Sequence, residues 1–378
     1  AGTVTRLSAD GSRVLAIASG TDAHLSLEGF ITLSDPPRPD SAALIADLRR
    51  RGVRVLLATG DGEATARAIA ARVGITGEVA PAGALRGSLD AGTVSGFTIF
   101  PGVYPEEKFR LVEGLQRAGH IVGMTGDGVN DAPALRQADV GIAVAQATDV
   151  AKAAASLVLT KPGLGEIVRA IDESRRIFRR MKNFVLTMTS RKLSMPTFLA
   201  LGVILAGSFV LQPVQIVLLL LVGDFASMAV STDRVTPSAA PDRWSIPPLI
   251  ATGLSIAAIL LALNGAVFWS AASIFRLDAA ATQTLVFVWL VFGASQAVLY
   301  LTRGQGFFWS RPYPGRLLIL ATVAAVALVT LLASQGWLMA PIPLPLIGAM
   351  LLQAMVFLVA GDLLQVGIAR LVSARSRP

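Results

Sequence analysis

Four short stretches in the first 140 residues place carboxylates, hydroxyls, an ammonium group and glycines where chemistry could be done. Thr59-Gly60-Asp61 follows the apolar run 53–58, and Thr125-Gly126-Asp127-Gly128 follows a second such run. Asp35 follows a third, and Lys108 stands in the first turn of a predicted helix. A hydroxyl and an ammonium bind phosphoryl oxygens, while carboxylates hold Mg²⁺, a hard ion that prefers oxygen ligands. Glycines let backbone N–H groups come close to an anion. Gly-Asp after a strand is also ordinary turn chemistry, so each stretch alone says little. The run Met124-Thr-Gly-Asp-Gly-Val-Asn-Asp-Ala-Pro-Ala-Leu135 says more. Its twelve residues hold Asp127, Asn130, Asp131, two glycines and a proline suited to open a helix.

The elements that must position these groups alternate. VTRLSA and RVLAIAS flank Asp10-Gly11, which predicts a β-hairpin in the first 28 residues. A strand over 30–34 ends at Asp35. Helix 39–51, strand 53–59 and helix 63–73 follow, then a polar, Gly-rich stretch. Beyond it come helix 105–118, strand 120–125 and helix 131–138; strands 140–144 and 157–160 flank helix 148–155. Such alternation predicts a parallel sheet covered by helices, with ligands bound at the carboxyl ends of the strands.

The 378 residues are 53% apolar and only 15% charged, with most charges before residue 183. That shift separates a soluble α/β portion from a membrane portion. Six apolar segments, at about 184–206, 210–232, 247–270, 281–301, 317–335 and 344–366, are each long enough to span ~30 Å of hydrocarbon. Arg234, Arg243, Arg303, Arg311, Arg316, Arg370, Arg375 and Arg377 fall on one side of these spans, and Arg276 alone on the other. This bias predicts that the soluble portion and the C-terminus are cytoplasmic. It also reads the net charge of +8 as membrane topology and not as nucleic-acid binding. Trp244, Trp309 and Trp337 lie near span ends, as interfacial anchors do. With no cysteine and only His24 and His120, thiolate and His-based metal sites are excluded. Residues 1–20 lack the pattern of a signal peptide and read as the middle of a domain.

The run Met124–Leu135 resembles the hinge signature of P-type ATPases. Asp35-Pro36-Pro37-Arg38 is similar to that family's nucleotide-side motif, Thr59-Gly60-Asp61 to its phosphate-binding motif, and Pro105-Glu106-Glu107-Lys108 to its lysine segment. All four stand in the family's order, and the similarity continues through the six apolar segments. The resemblance implies an α/β haloacid-dehalogenase-like, Rossmann-type phosphorylation domain followed by an all-α six-helix transmembrane domain. Residues 1–28 would end a nucleotide-binding domain, 29–165 would be the phosphorylation domain lacking its first strand, and 166–378 the transmembrane domain. ATP and Mg²⁺ would be the cofactors. Thr59 and Lys108 would bind phosphoryl oxygens. Asp127 would coordinate Mg²⁺, with Asn130 and Asp131 supporting metal and phosphoryl group. Asp35, Arg38, Gly60 and Asp61 would line the nucleotide side. The family's Asp-Lys-Thr-Gly nucleophile does not occur in the sequence, and neither Asp10 nor Asp35 has the surroundings to replace it. The expectation is the C-terminal half of a pump, as a fragment, a truncated product or one piece of a split protein. Its missing N-terminal half would be a partner, and the chain alone would be inactive.

An ionisable residue inside a membrane helix costs at least ~2.5–3.5 kcal/mol, so it is a functional candidate by default. Asp224 lies centrally in 210–232, and Arg191 and Lys192 lie in the first span just before Pro196. Asn264, Gln296 and Gln353 read as interhelical hydrogen-bond formers, and Asp362 as a hydrated residue near a span end. The stretch from Gly223 to Trp244 resembles the sixth helix and following loop of plasma-membrane proton pumps, with Asp224 at their proton-carrying carboxylate. A lone acid near a built-in positive charge suits a proton better than a divalent metal. The expected protein is therefore an integral plasma-membrane, proton-exporting ATPase. Transport of Mg²⁺, Ca²⁺ or K⁺ is one alternative, and a catalytically inactive membrane protein keeping the phosphate-site fold is another.

Overall fold

The computed structural model describes residues 2–8, 12–21, 24–33, 36–86, 91–163, 165–304 and 306–375. They form two compact units, Ala1–Asp172 with Ala239–Pro241, and Glu173–Ser238 with Asp242–Pro378.

The first unit opens with a short helix α1 (Gly2–Ser8) and two long strands, β1 (Arg13–Thr21) and β2 (His24–Leu33), paired antiparallel. This corrects the expected hairpin. Val4–Ala9 was to pair with Arg13–Ser19 about Asp10-Gly11, but residues 2–8 are helical and β1 pairs forward with the apolar run that follows it. The strand expected at 30–34 is the end of β2 and joins no parallel sheet; Asp35 lies outside the described residues.

The remaining elements alternate as expected: α2 (Ser41–Arg50), β3 (Leu57–Ala58), α3 (Glu63–Arg72), β4 (Glu78–Val79), α4 (Ala91–Gly96), β5 (Phe97–Phe100), α5 (Pro105–Arg117), β6 (Gly123–Gly126), α6 (Ala132–Gln137), β7 (Val140–Ala143), α7 (Asp149–Ala154) and β8 (Leu157–Val158). The strands form two three-stranded parallel sheets, in the orders β3-β5-β4 and β6-β7-β8. Sequence reading passed over β4, α4 and β5 as a polar stretch, although Phe97-Thr98-Ile99-Phe100 is a buried strand at the centre of its sheet. In both sheets the strand carrying a motif, β3 or β6, stands at an edge. The two edges share buried packing. Val122 on the approach to β6 clusters with Phe100 of β5 and Leu111 of α5, with Ala58 of β3 and Met124 of β6 packed against them. The expected strand 53–59 shrinks to the two residues of β3.

In the second unit the helices are long. Helix α8 (Gly165–Ala206) carries residues of both units and has Pro196 within it. Then come α9 (Pro213–Met228), α10 (Ile246–Ser273), α11 (Ala279–Trp289), a π-helical turn (Leu290–Ala297), α12 (Val298–Leu301), α13 (Arg316–Gln335) and α14 (Leu344–Arg375). Five segments are long and apolar enough to cross a membrane: Pro213–Thr232, Ile246–Ser273, Ala279–Leu301, Arg316–Gln335 and Leu344–Leu364. Six were expected. The remaining segment, 184–206, falls within α8, where Arg191, Lys192 and several hydroxyl residues lower its apolar character. The span Ala279–Leu301 is 94% buried against 22–39% for the other four, so it is the central helix around which this unit packs. Trp289, Phe287, Phe292 and Leu290 fill that core.

One ion pair ties the connections of this unit together. Asp233 accepts from Arg303 Nε at 2.7 Å and from the Gly315 amide at 2.7 Å. Arg303 also donates to the carbonyls of Arg234 and Pro312, at 3.1 and 2.9 Å. Both side chains are buried, 5% and 1% exposed, and their hydrogen-bonding capacity is well used. Removing one partner of such a pair strands the other charge without compensation, which costs about 3–5 kcal/mol. Asp233→Leu is therefore expected to lower the unfolding free energy of the detergent-solubilised chain by that order, read from the shift of its unfolding midpoint. Asp233→Leu combined with Arg303→Leu is expected to recover much of the loss.

Candidate functional site

The motif residues are positioned by backbone hydrogen bonds that leave selected side chains free. Thr59 directly follows β3. Its amide donates to Phe100 O at 3.0 Å and its carbonyl accepts from Val103 at 2.9 Å. Its hydroxyl donates to Asp61 Oδ2 at 2.9 Å and accepts from the Asp61 amide at 3.1 Å, the local bonding of an Asx/ST-type turn. Asp61 O in turn accepts from Gly102 at 2.8 Å. The Thr59-Gly60-Asp61 turn is thus fastened to 100–103, the segment that leads into α5.

Helix α5 starts abruptly. Pro105 opens it, and Glu107 reaches back to accept the Tyr104 amide at 2.8 Å. Glu107 also pairs with Arg86 at 2.8 Å. Burial pushes the Glu107 carboxyl upward, but the Tyr104 amide and the Arg86 guanidinium outweigh it and hold the group below its usual range. This fixed first turn presents Lys108, whose Nζ donates to Asp131 Oδ1 at 2.7 Å.

Asp131 is the centre of the site. It is 6% exposed, and its second oxygen accepts from the amides of Asp127 and Gly128 at 3.2 and 3.3 Å. Burial raises its pKa; the Lys108 hydrogen bond and charge, with the two amides, more than offset this and leave it lowered. The loop wraps so closely that a Cβ on Gly126 would lie 2.9 Å from Asp131 Cγ, so only glycine fits there. The Asp127 carbonyl accepts from Thr148 at 2.8 Å. With the backbone held at both ends, the Asp127 side chain is exposed at the carboxyl end of β6, and Asn130 is exposed beside it.

This division of labour sharpens the reading of the two carboxylates. Asp131 spends both oxygens inside the protein, whereas Asp127 has no side-chain partner among the described residues. Mg²⁺ keeps several waters and takes one or two carboxylates, so Asp127 fits it as a single protein ligand. Among the described residues no group of three or more His, Cys, Asp or Glu side chains is gathered to hold a metal. Arg38 is exposed, and Asp35 is outside the described residues.

In the second unit, Asp224 is exposed on α9. Successive helical residues turn by about 100°, so Gly223 and Ser227 face inward while Asp224 faces out. Arg191 is buried and donates to Gly223 O and Ser227 Oγ, at 3.2 and 2.6 Å; Lys192 is exposed. Asn264 accepts from Trp289 Nε1 at 2.7 Å, the interhelical bond expected of it. Asp362, expected to be hydrated, is instead 2% exposed and accepts the Phe308 amide at 2.6 Å. Sequence reading missed Ser227 and Ser295, because a serine in an apolar run signals nothing until its neighbours are known.

Residues 4–139 match the haloacid dehalogenase-like hydrolase family, and residues 111–169 match a second model of the same description. The chain therefore carries a haloacid dehalogenase-like hydrolase domain with parallel sheets, followed by a helical region with five candidate membrane spans. It is 34% identical, over 95% of its length, to a protein of Methanocaldococcus jannaschii described as a cation-transporting ATPase. The chain spans 46% of that relative's length.

The Asp131 geometry sets a pH dependence. A carboxyl held low in the fold stabilises it above the unfolded-state pKa of ~3.9, and that stabilisation is lost as pH falls through the lower folded value. Asp131→Asn is expected to cost about 1–3 kcal/mol at pH 7. It should also reduce the fall in unfolding midpoint between pH 5 and pH 2; Glu107, held low in the same sense, supplies part of what remains.

Proposed function

We propose that this chain is the C-terminal portion of a P-type ATPase that drives a cation, best read as a proton, across the plasma membrane. The Lys108–Asp131 pair carries the reading. It fixes an ammonium beside the loop that leaves Asp127 exposed, and without a side-chain partner among the described residues, at the end of a parallel strand. A stability knot could have used Asp127 as well. Holding one carboxylate still and leaving its neighbour free is the arrangement of a site that receives a ligand from outside.

In this reading Thr59 and Lys108 bind the phosphoryl oxygens of ATP and of the phosphorylated protein, with Asn130 at the rim. Asp127 would hold Mg²⁺, which supplies charge neutralisation for the transferred group. Asp131 positions Lys108 and the two loop amides. Arg38, Gly60 and Asp61, with Asp35, line the nucleotide side. The nucleophilic aspartate comes from a segment outside residues 1–378. The edge positions of β3 and β6 support this, since each leaves one side of its sheet open to an added strand. The relative's greater length is consistent with such a segment.

The five apolar helices, together with the second half of α8, make six spans with the soluble portion and the C-terminus on the cytoplasmic side, as the arginine bias indicates. Asp224 is the proton carrier and Arg191 the nearby positive charge; Lys192 is exposed and suits a place at the cytoplasmic interface. The exposed face of α9 around Asp224 is covered by helices of the missing half in the complete pump, because a carboxylate facing lipid is costly.

The test uses the complete pump in proteoliposomes, with ATP hydrolysis and lumenal acidification read together. Lys108→Ala is expected to lower hydrolysis by about 10²–10³-fold, the usual effect of removing one electrostatic stabiliser. Asp224→Asn is expected to abolish acidification. Unchanged acidification in Asp224→Asn, or hydrolysis that rises with Mg²⁺, Ca²⁺ or K⁺ as transported ion and not with proton supply, overturns the proton reading.

A further inference from the structure

A buried guanidinium normally pairs with a carboxylate, and Arg191 makes no ion pair among the described residues, although the charge of Asp224 reaches it. Its side chain sits between α8, α9 and the π-helical turn. Nη1 donates to Gly223 O and Ser227 Oγ, and Ser227 Oγ itself donates to Gly223 O at 2.7 Å. Nε has no partner among the described residues. A Cβ placed on Gly223 would overlap Nη2 and would lie 3.2 Å from Ser295 Oγ, so the guanidinium and that hydroxyl meet at the bare glycine. Ser295 is fully buried, and its hydroxyl is also without a partner among the described residues. It comes from the π-helical turn, a local widening of the helix that recurs at functional sites. Asp224, next in sequence to Gly223, points out of this crossing.

We propose that Gly223, Ser227 and Ser295 form a seat for the Arg191 guanidinium, and that the seat holds this charge in the three-helix crossing and out of ion-pair contact with Asp224. The inference rests on the reading of Asp224 as the ion carrier and deepens it. The three are positioning residues, acting on the carrier only through where they keep Arg191. Their chemistry fits the task. The Gly223 carbonyl and the Ser227 hydroxyl take Nη1 without neutralising the charge, so the guanidinium stays cationic and transferable to a carboxylate. The missing Cβ of Gly223 supplies the room. Seated, Arg191 leaves Asp224 free to take a proton; released, it would stabilise the carboxylate and favour proton loss. The other groups near Asp224 do not compete. Helix α9 packs against α11, the π-helical turn and α13, where the one ionisable residue is Arg316 at the start of α13. On α8 the remaining membrane-level charge is Lys192, which is exposed.

Two measurements on the detergent-solubilised chain test the seat without any transport assay. The first is a double-mutant cycle on the unfolding midpoint with Gly223→Ala and Arg191→Met. Gly223→Ala is expected to lower the midpoint when Arg191 is present and to leave it unchanged when Arg191→Met has cleared the space. Equal effects in both backgrounds overturn the seat. Should Arg191→Met fail to fold, Arg191→Lys replaces it, and the Gly223→Ala penalty is expected to shrink because the lysine head is slimmer. The second is the pH profile of Asp224 modification by dicyclohexylcarbodiimide, which reacts with the protonated carboxyl. Gly223→Ala is expected to move the midpoint of that profile to lower pH, as the displaced guanidinium falls towards Asp224. Ser295→Ala is expected to do so to a smaller extent. A profile that does not move, with the coupling present, makes the seat purely structural and overturns its positioning role. Failure of proton transport in the complete pump, with both results as expected, would instead count against the transport reading alone.

Discussion

The soluble unit depends on a single short contact, Lys108 Nζ to Asp131 Oδ1 at 2.7 Å. Everything around it fixes one end or the other. Pro105 and Glu107 set the first turn of α5 so that Lys108 projects in one direction. Gly126 admits the Asp131 side chain against the backbone, and the Asp127 and Gly128 amides take its second oxygen. A half-buried ammonium and a buried carboxylate each carry a desolvation penalty, and each is tolerable only because the other is present. The constraint transmits outward, since the loop that wraps Asp131 also decides where Asp127 and Asn130 emerge.

The helical unit solves the same problem twice and differently. Asp233 and Arg303 neutralise one another and spend nearly all their hydrogen bonds, so they behave as a fixed joint among the connections. Arg191 donates only to neutral oxygens and keeps a spare donor. A neutralised pair has little reason to move. An unpaired cation has, in the proposed reading, a second place to go at Asp224.

Much of this was legible in the sequence because it is written locally. The alternation of helices and strands, the proline opening α5, the apolar spans and the twelve-residue run around Asp127 all depend on neighbours within a few positions. What was not legible depends on distant pairing. Residues 4–9 and 13–19 look like hairpin partners about Asp10-Gly11, but β2 offers β1 a longer apolar mate, and length won. The strand β5 hid in a Gly-rich stretch because four residues are too few to show a period. At the site, sequence supplied Lys108, Asp127 and Asp131 but gave both carboxylates to the metal. Only the hydrogen bonds reveal that Asp131 is spent on Lys108 and on amides. In the membrane spans, sequence singled out the charges and overlooked Ser227, Ser295 and the missing Cβ of Gly223, whose importance lies in what they stand next to.

The β1–β2 hairpin has a practical corollary. Leu15, Ile17, Leu25, Leu27, Ile31 and Leu33 are all between 43% and 72% exposed, and both outer edges of the ribbon are unpaired among the described residues. Two strands cannot bury an apolar face by themselves. Long, apolar, open edges recruit identical edges from other molecules. Preparations of this polypeptide by itself will therefore tend to precipitate through their water-exposed end, whatever detergent shields the helices, and handling them calls for masking that ribbon.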